Sequence, residues 1–314
     1  MLTKIKKFLF SVLKTIRNRL SGLGLSKIPG ISMVYDFLFR HFWSGPDVIE
    51  IQGSKMYLNV REKFPDVRET FQSYALNKIH EEATTDLFKK TVKEGDVIVD
   101  LGANIGYFTL LAAKLTGKKG RVYAFEPEPR NYNYLVKNIG LNNYDNVSAF
   151  QKAVSDRKGK TRLFICPYDT GHHTINQPDG IEAYRQGRKG EVNGVEIETL
   201  ALDEYFKDKE KRIDVIKIDV EGAEALAISG MKEILKNNEN IKIFLEFFPL
   251  LIIKMNSSPE GFIDKLIEDY RFSIFIIPDD YDASKGEILR INSADELMNF
   301  CKGEKDHLNL FLKR

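Results

Sequence analysis

Cysteine and long apolar runs are scarce in this sequence. The 314 residues include two cysteines, Cys166 and Cys301, too few for a disulfide scaffold or a cysteine-rich zinc site and typical of a reducing compartment. No stretch approaches the roughly 18 uninterrupted apolar residues of a membrane-spanning helix, so none is predicted. The ordinary mix of 43% hydrophobic and 29% charged residues excludes collagen-like, coiled-coil and wholly disordered chains.

An excess of one charge is also missing, but the balance is uneven along the chain. The 47 basic and 45 acidic residues give a formal net charge of +2. Residues 1–40 hold eight basic residues and one acid, a net charge of +7, which leaves −5 for residues 41–314. A general nucleic-acid-binding protein carries its basic residues on the globular body, so we expect no nucleic-acid partner.

Residues 1–30 are predicted to form a basic amphipathic helix followed by a hinge. Apolar side chains recur at helical spacing through residues 1–20, basic residues lie mostly opposite, and Gly22, Gly24 and Pro29 then interrupt the pattern. Such a helix suits an anionic membrane surface, which would make the protein cytoplasmic and peripheral at the inner face of the cell membrane. A helix packed on the body or used in dimer contact fits the pattern equally well.

The remaining sequence divides into an accessory segment, residues 31–95, and an α/β domain, residues 96–314. The accessory segment contains a hairpin signal around Gly53 and a helical stretch at 76–93. From residue 96 onward, short apolar runs typical of buried parallel strands alternate with helical stretches. The runs are 97–99, 121–125, 147–150, 214–218, 241–247 and 272–277.

This alternation predicts an α/β fold with an open, doubly wound, mostly parallel sheet. Residues 308–312 are expected to close the chain as an edge strand of the sheet, antiparallel to its neighbour. Residues 160–200 interrupt the alternation, because two segments that alternate polar and apolar residues flank a polar, glycine-rich stretch. We therefore expect an inserted β-hairpin with a long loop, and such loops are often functional.

The most informative stretch is VIVDLGANIG at residues 97–106. A buried strand delivers Asp100 to the sheet edge, Gly102 lets the backbone approach a ligand, and Gly106 lets the next helix pack closely. The following strand ends at Glu126, where nucleotide-binding folds place an acid that accepts hydrogen bonds from ribose hydroxyls. The pattern predicts a cofactor that contains adenosine.

The chemistry of the turn favours S-adenosylmethionine over a dinucleotide. A dinucleotide fingerprint has three glycines that leave room for a pyrophosphate, whereas this turn has two glycines and no phosphate-binding lysine. The carboxylate of Asp100 would repel a phosphate group but attract the amino group of S-adenosylmethionine. An NAD-dependent oxidoreductase is the alternative.

Four segments resemble the FkbM-type family of class I S-adenosylmethionine-dependent methyltransferases. They are VIVDLGANIGYFTLLAAKL (97–115), GRVYAFEPEPRNYNYLVKNI (120–139), FQKAVSDRKG (150–159) and IDVIKIDVEGAEALAISG (213–230), with a weaker echo in IFLEFFP (243–249). The resemblance spans roughly residues 85–275. It implies a Rossmann-like fold whose seven-stranded sheet has a reversed last strand.

The resemblance also implies a cofactor site made of residues that follow the first strands. The residues expected around the methionine moiety are Asp100, Gly102, Ala103, Asn104 and Gly106. The residue expected at the ribose is Glu126, and those expected beside the adenine or ribose are Phe125 and Pro127. The residues expected to line the adenine are Ala153 and Asp156.

A second group of acids follows the fourth strand of the predicted sheet. The run at 213–218 delivers Asp219 to the same sheet edge, and Glu221 and Glu224 follow it. Acids in a first helical turn are favoured by the helix dipole, so capping is one interpretation of Glu221 and Glu224. The other is chemical: Asp219 lies beside the methyl donor, or Asp219, Glu221 and a third ligand hold a divalent cation such as Mg²⁺. The sequence lacks a full ligand set, which leaves the metal open.

Methyl transfer to a hydroxyl group requires a base that removes the acceptor's proton. The candidates are Asp219, Glu221, His172 and His173, of which the histidines lie in the inserted loop. The chain has five histidines, so a neighbouring pair is notable, although exposed loop histidines are at least as simple an interpretation. Glu246, at the end of the fifth strand, could face the acceptor pocket or pair with a cation.

The predicted activity is S-adenosylmethionine-dependent O-methylation, and the resemblance implies a hydroxyl of a sugar, glycoconjugate or lipid-linked glycan as the acceptor. An NAD-dependent oxidoreductase would need a third glycine in the turn. A non-catalytic, membrane-associated adaptor would not need Asp100, Glu126 and Asp219 intact at three strand ends. The sequence leaves the identity of the acceptor, the general base and the oligomeric state open.

Overall fold

The computed structural model describes residues 31–43, 45–62, 65–166, 171–175, 193–278, 287–301 and 307–314, and the basic arm predicted at 1–30 lies outside them. The helices are α1 (Ile31–Phe42), α2 (Pro65–Asn77), α3 (Glu82–Thr91), α4 (Tyr107–Thr116), α5 (Pro129–Asn142), α6 (Leu202–Phe206), α7 (Glu224–Ser229), α8 (Lys232–Asn237), α9 (Pro249–Lys254), α10 (Pro259–Glu268) and α11 (Ala294–Phe300). The strands are β1 (Val48–Ile51), β2 (Ser54–Tyr57), β3 (Val97–Leu101), β4 (Arg121–Phe125), β5 (Val147–Phe150), β6 (Ala153–Val154), β7 (Gly159–Phe164), β8 (Gly194–Leu200), β9 (Val215–Ile218), β10 (Lys242–Phe247), β11 (Ser273–Ile276), β12 (Leu289–Ile291) and β13 (Leu308–Lys313).

Eight strands form one open sheet in the order β12-β11-β13-β10-β9-β3-β4-β5. Neighbours from β10 to β5 are parallel, β13 is antiparallel to both β10 and β11, and β12 is antiparallel to β11. The mostly parallel, Rossmann-like sheet with an antiparallel last strand is thereby confirmed, but this strand, β13, lies between β10 and β11 and not at the edge predicted for residues 308–312 from the alternation. It has one strand more than the seven predicted. The sequence does not predict β12, because this three-residue edge strand has two exposed residues and no apolar run.

The central strands form at the apolar runs of the sequence, as predicted, because both faces of the sheet are covered. Every residue of β3 and β9 is buried. Val99 and Ile216 belong to one buried hydrophobic cluster, whereas their chain neighbours Ile98 and Val215 belong to another. Since successive side chains of a strand point to opposite faces, each strand contributes to two cores.

The accessory segment confirms the predicted hairpin and corrects the predicted helix. Strands β1 and β2 pair antiparallel on either side of Gly53. The single helix predicted at 76–93 is two helices, α2 and α3. The chain turns between them through Lys78 and Glu81, which both have a positive φ that an α-helix cannot contain.

The inserted hairpin is present as β7 and β8, which pair antiparallel, and β6 joins β8 to complete a three-stranded sheet. We call residues 159–200 the insert. Of its long loop, the structure describes residues 165–166, 171–175 and 193. Within the described ranges, no helix combines the length and the hydropathy that a membrane crossing requires.

Two asparagines of α5 attach the accessory hairpin to the α/β domain. Asn138 is fully buried; its side-chain oxygen accepts a hydrogen bond from the Tyr57 backbone N–H at 2.7 Å, and its amide donates to the Ile105 carbonyl at 2.8 Å. Asn142, about one turn later and partly exposed, bonds both backbone groups of Lys55 at 2.7 Å. Water can replace the hydrogen bonds of Asn142 more easily than those of the buried Asn138.

We expect Asn138→Ala to lower the free energy of unfolding by about 2 kcal/mol more than the matched variant Asn142→Ala, because it leaves two buried backbone groups unpaired. Urea denaturation followed by circular dichroism measures the difference. Equal losses for the two variants would contradict this account of the attachment.

Candidate active site

A cavity opens at the carboxyl ends of β3, β4 and β9, where ligands bind in open α/β sheets. The empty space within it, with the open mouth included, is about 710 Å³. Residues predicted to bind the cofactor and residues predicted to perform the chemistry share its wall. The predicted residues that line it are Gly102, Asn104, Phe125, Glu126, Pro127, Ala153, His173, Asp219 and Glu221.

The predicted residues that do not line this cavity are Asp100, Ala103, Gly106, Asp156 and His172. Asp100 lies behind the wall, is 2% exposed, and accepts a hydrogen bond from the Thr109 hydroxyl at 2.5 Å. Burial raises the pKa of Asp100, and the positive charge of Lys217 opposes that rise. The structure therefore places Asp100 as a buried support of the turn, and its predicted contact with the cofactor stays a prediction.

Three positive φ angles shape the turn after β3, at Gly102 (77°), Asn104 (49°) and Gly106 (102°). A β-carbon on Gly102 would overlap the backbone carbonyl of Asp219. Glycine at this position therefore lets the turn lie directly against the segment that follows β9. The close approach places the predicted cofactor residues and the predicted catalytic acids in one cavity.

Glu126 holds this turn from the end of β4. Its Oε2 accepts a hydrogen bond from the Asn104 backbone N–H at 2.8 Å, and its Oε1 accepts one from the Glu128 N–H at 2.9 Å. Burial raises the pKa of Glu126 to about 8, although both backbone hydrogen bonds act to lower it. The carboxyl group is therefore mostly protonated at neutral pH when no ligand donates to it.

The insert supplies a wall of the cavity of which only His173 was predicted from the sequence. Leu163, Ile175 and Thr199 line the cavity beside His173. In the sequence, a long loop lies between two segments that alternate polar and apolar residues. This pattern predicts a functional insert but does not predict which of its side chains line a cavity. Which of its side chains reach the cavity depends on how the hairpin folds back over the sheet.

Asp219, Glu221 and Glu246 form an acid cluster, in which one carboxylate oxygen of each lies within 4.8 Å of the others. Asp219 and Glu221 line the cavity, whereas Glu246, on β10, does not. Glu221 has a φ of 50°, and its carbonyl accepts a hydrogen bond from the Thr174 hydroxyl at 2.7 Å. The insert thus holds the backbone of a cluster residue in a conformation that L residues rarely adopt.

Glu224 lies in the first turn of α7, the position that the sequence offered as an alternative explanation for two acids. It is fully buried at the first residue of α7, and its Oε1 accepts a hydrogen bond from the Gly222 backbone N–H at 3.0 Å. Burial raises the pKa of Glu224 to about 7. Since Glu221 lines the cavity and Glu224 does not, the two neighbouring acids have different surroundings.

A buried cation lies in contact with the acid cluster. The Nζ of Lys217 lies 2.6 Å from Oδ2 of Asp219, and 7% of the lysine side chain is exposed. Burial is the largest single influence on Asp219 and raises its pKa, but the charge of Lys217 and the hydrogen bonds from Glu246 and Lys217 together outweigh burial and lower the pKa. Burial and then the negative charge of Asp219 raise the pKa of Glu246 well above its ordinary value. The two pKa shifts are opposite in direction, so a proton shared by Asp219 and Glu246 lies on Glu246.

Three carboxylates at these distances are the oxygen donors that a divalent cation prefers. Two features of the cluster disfavour this occupant. Lys217 already neutralises Asp219, and Glu246 holds a proton that a cation would have to displace. The spacing of the carboxylates favours a cation and the adjacent Lys217 disfavours it, and no step proposed for the reaction involves a metal.

His173 lines the cavity with one ring nitrogen already engaged. Its Nδ1 accepts a hydrogen bond from the Cys166 backbone N–H at 3.0 Å, which places the proton of the neutral ring on Nε2. A ring held in this way offers a hydrogen-bond donor rather than a basic nitrogen. His172 does not line the cavity. The two positions favour the acids over the histidines as candidate bases.

Comparison with known proteins gives one family and several relatives. The sequence model described as the methyltransferase FkbM domain matches residues 100–274, more than half of the chain. Methyltransferase sdnD of Sordaria araneosa is 32% identical over 157 residues, which cover 43% of this chain and 60% of sdnD. 2-O-methyltransferase NoeI of Sinorhizobium fredii is 31% identical over 152 residues, which cover 46% and 60% of the two chains. Hexuronic acid methyltransferase AglP of Haloferax volcanii is 27% identical over 157 residues, which cover 48% and 56%.

The aligned regions thus span less than two thirds of the length of each of these curated relatives. They also cover less than half of this chain. What the whole of each relative acts on is therefore not carried over by the alignment alone.

The close approach at Gly102 is testable through stability. We expect Gly102→Ala to lower the free energy of unfolding by at least about 2 kcal/mol, because it combines a positive φ with an overlap against the backbone of Asp219. The matched control is Gly140→Ala in α5, where a β-carbon meets nothing within 4 Å and should stabilise the helix by about 0.5 kcal/mol. Thermal unfolding of both variants measures this, and a harmless Gly102→Ala would contradict the described contact.

Proposed function

The chain belongs to the FkbM methyltransferase family, and from this premise we propose that it transfers the methyl group of S-adenosylmethionine to a hydroxyl oxygen of a sugar or glycoconjugate. One observation carries the proposal. The residues predicted to bind the cofactor, Gly102, Asn104 and Glu126, line the same cavity as the carboxylates of Asp219 and Glu221. A donor and an acceptor bound in one cavity can react without the entropic cost of a free encounter.

The acceptor class is supported by the names of two relatives and by the chemistry of the acid cluster. One relative is a 2-O-methyltransferase and another is a hexuronic acid methyltransferase. Carboxylates beside the cavity can accept hydrogen bonds from the hydroxyl groups of a sugar ring. The step from these relatives to this chain is a proposal, because they are aligned over only part of their length.

Each residue of the cavity would have a separate task in the reaction. S-adenosylmethionine supplies an electrophilic methyl carbon on a positively charged sulfur. Glu126 would accept hydrogen bonds from ribose hydroxyls, and His173 would donate from Nε2 to a ligand oxygen. Asp219 would accept the proton of the acceptor hydroxyl as the oxygen–methyl bond forms and the sulfur–methyl bond breaks. Glu221, beside Asp219, would hold the hydroxyl in line with the methyl group.

The other activities considered from the sequence have less support. Family membership favours methyl transfer over hydride transfer to NAD. A lipid-linked acceptor would involve the predicted basic arm, because a membrane-bound helix would hold the enzyme near such a substrate. That part of the proposal depends on the charge pattern of residues 1–20 alone.

Asp219→Asn tests the assignment of the base. Incubation of the full chain with methyl-labelled S-adenosylmethionine and cell fractions should label a glycan or glycolipid fraction. We expect Asp219→Asn to lower kcat for the labelled acceptor at least about 100-fold, the size of a lost general base. The affinity for S-adenosylhomocysteine, measured by calorimetry, should change little.

The matched control for this substitution is Asp264→Asn, which neutralises an exposed carboxylate of α10 and should leave both measurements unchanged. Label in no fraction, together with no cofactor binding at millimolar concentration, would contradict the proposed function. Full activity of Asp219→Asn would contradict only the role of Asp219.

The raised pKa of Glu126 predicts that cofactor binding depends on pH. Ribose hydroxyls donate hydrogen bonds to the ionised carboxylate, whereas the free protein holds this group protonated up to about pH 8. Affinity for S-adenosylhomocysteine should therefore increase from pH 6 to pH 8, by up to about tenfold per pH unit, with release of a proton. Calorimetry in buffers of different ionisation enthalpy measures both quantities.

The variant Glu126→Gln should bind more weakly and lose this pH dependence, while the surface control Glu239→Gln should keep it. Equal affinity of the unmodified protein at pH 6 and pH 8 would show that ligand binding does not ionise Glu126.

A further inference from the structure

Lys217 is an exception within a buried strand. It lies between Ile216 and Ile218 in β9, where every residue is buried. In the sheet it pairs with Asp100 of β3 on one side and Phe244 of β10 on the other. Burying a charge costs several kcal/mol unless a partner compensates it, so an apolar residue would be the simpler choice at this position.

The side chain of Lys217 is directed towards the acid cluster, but it does not line the cavity. Its Nζ lies 2.6 Å from Oδ2 of Asp219 and 4.7 Å from the centre of the Phe108 ring. Asp219 lines the cavity, and Lys217 does not. Lys217 therefore does not contact the cavity itself, and Asp219 is the cavity residue that it touches.

The two carboxylates that share a proton differ in their access to the cavity. Asp219 lies on the cavity wall, whereas Glu246 is not among the lining residues and lies 3.7 Å from Nε2 of His307. Lys217 contacts the first of them directly. The position of this cation adds a difference in charge environment between two acids that already differ in their access to the cavity.

We infer that Lys217 is a positioning residue that keeps Asp219 as the ionised member of the Asp219–Glu246 pair and leaves the shared proton on Glu246. The inference depends on the proposed function for its meaning, because only a methyl acceptor in the cavity needs the carboxylate on the cavity wall to be free of a proton. In the transfer step, the acceptor oxygen bonds to the methyl carbon, the sulfur–methyl bond breaks, and the hydroxyl proton goes to Asp219. The sulfur leaves as a neutral thioether.

Charged and titratable groups on every neighbouring element act on this pair. Glu81, at the turn between α2 and α3, acts on both Lys217 and Glu246, and His80 acts on Asp219. Asp100 of β3 acts on Lys217, and Glu221 acts on Glu246. Among these described neighbours, Lys217 has the largest effect that favours ionised Asp219.

Substitution of Lys217 tests the inference. Lys217→Gln keeps a hydrogen-bond donor but removes the charge, and Lys217→Arg keeps the charge. With carboxyl-carbon labels in aspartate and glutamate, NMR titration reports the ionisation of each acid, and Asp219→Asn and Glu246→Gln assign the signals. We expect the pKa of Asp219 to rise by about one to three units in Lys217→Gln and to stay close to its original value in Lys217→Arg.

Enzyme kinetics gives a second readout that a structural role would not change. The acid side of the pH profile of kcat should move to higher pH in Lys217→Gln and not in Lys217→Arg. If Lys217→Gln does not fold, the double variant Lys217→Met with Asp219→Asn removes both charges of the ion pair. Its free energy of unfolding is compared with that of the single variant Asp219→Asn. In that pair, an unchanged free energy of unfolding on removal of the lysine would overturn the inference.

An Asp219 titration that is the same in Lys217→Gln as in the unmodified protein would overturn the inference. The titration requires no methyl transfer, so its result is separate from that of the activity test. An inactive protein with the expected titration would contradict the proposed function alone, and an active enzyme with an unshifted titration would contradict this inference alone.

Discussion

The contact between Gly102 and the backbone carbonyl of Asp219 is the constraint on which the candidate site depends. The parallel register of β3 and β9 brings the ends of these strands to the same edge of the sheet. Even so, any side chain at residue 102 would push the turn after β3 away from the end of β9, because its β-carbon would overlap the backbone carbonyl of Asp219. Glycine removes this obstacle, and one cavity can then hold both the turn and the acids.

Burial of many acids in one region requires a different compensation for each of them. Asp100 accepts a hydrogen bond from Thr109, Glu126 accepts two from the backbone, and Asp219 pairs with Lys217. Glu246 is compensated by keeping its proton. Because uncompensated buried charge is expensive, the site limits the number of ionised acids until a ligand brings its own charges. A cofactor with a sulfonium and an amino group, as in the proposed function, supplies such positive charge.

Much of this arrangement is predictable because it follows from local patterns. Apolar runs predict strands buried on both faces, and parallel strands place their carboxyl ends together, so Glu126 and Asp219 were expected at one edge. The role of Lys217 was not predictable, because a lysine within an apolar run has no partner that can be identified before strand order is known. β12 was also missed, since a short exposed edge strand has no periodic signal.

The insert shows why one part of the cavity wall was easier to predict than another. The residues predicted to bind the cofactor lie in turns directly after strands, where sequence position determines spatial position. The insert instead contributes Ile175 and His173 from a loop whose course depends on tertiary packing, and Thr174 joins that loop to the Glu221 carbonyl. A change in the insert can therefore alter the cavity wall and the conformation of a cluster residue together, while Gly102 and the turn after β3 keep their contacts.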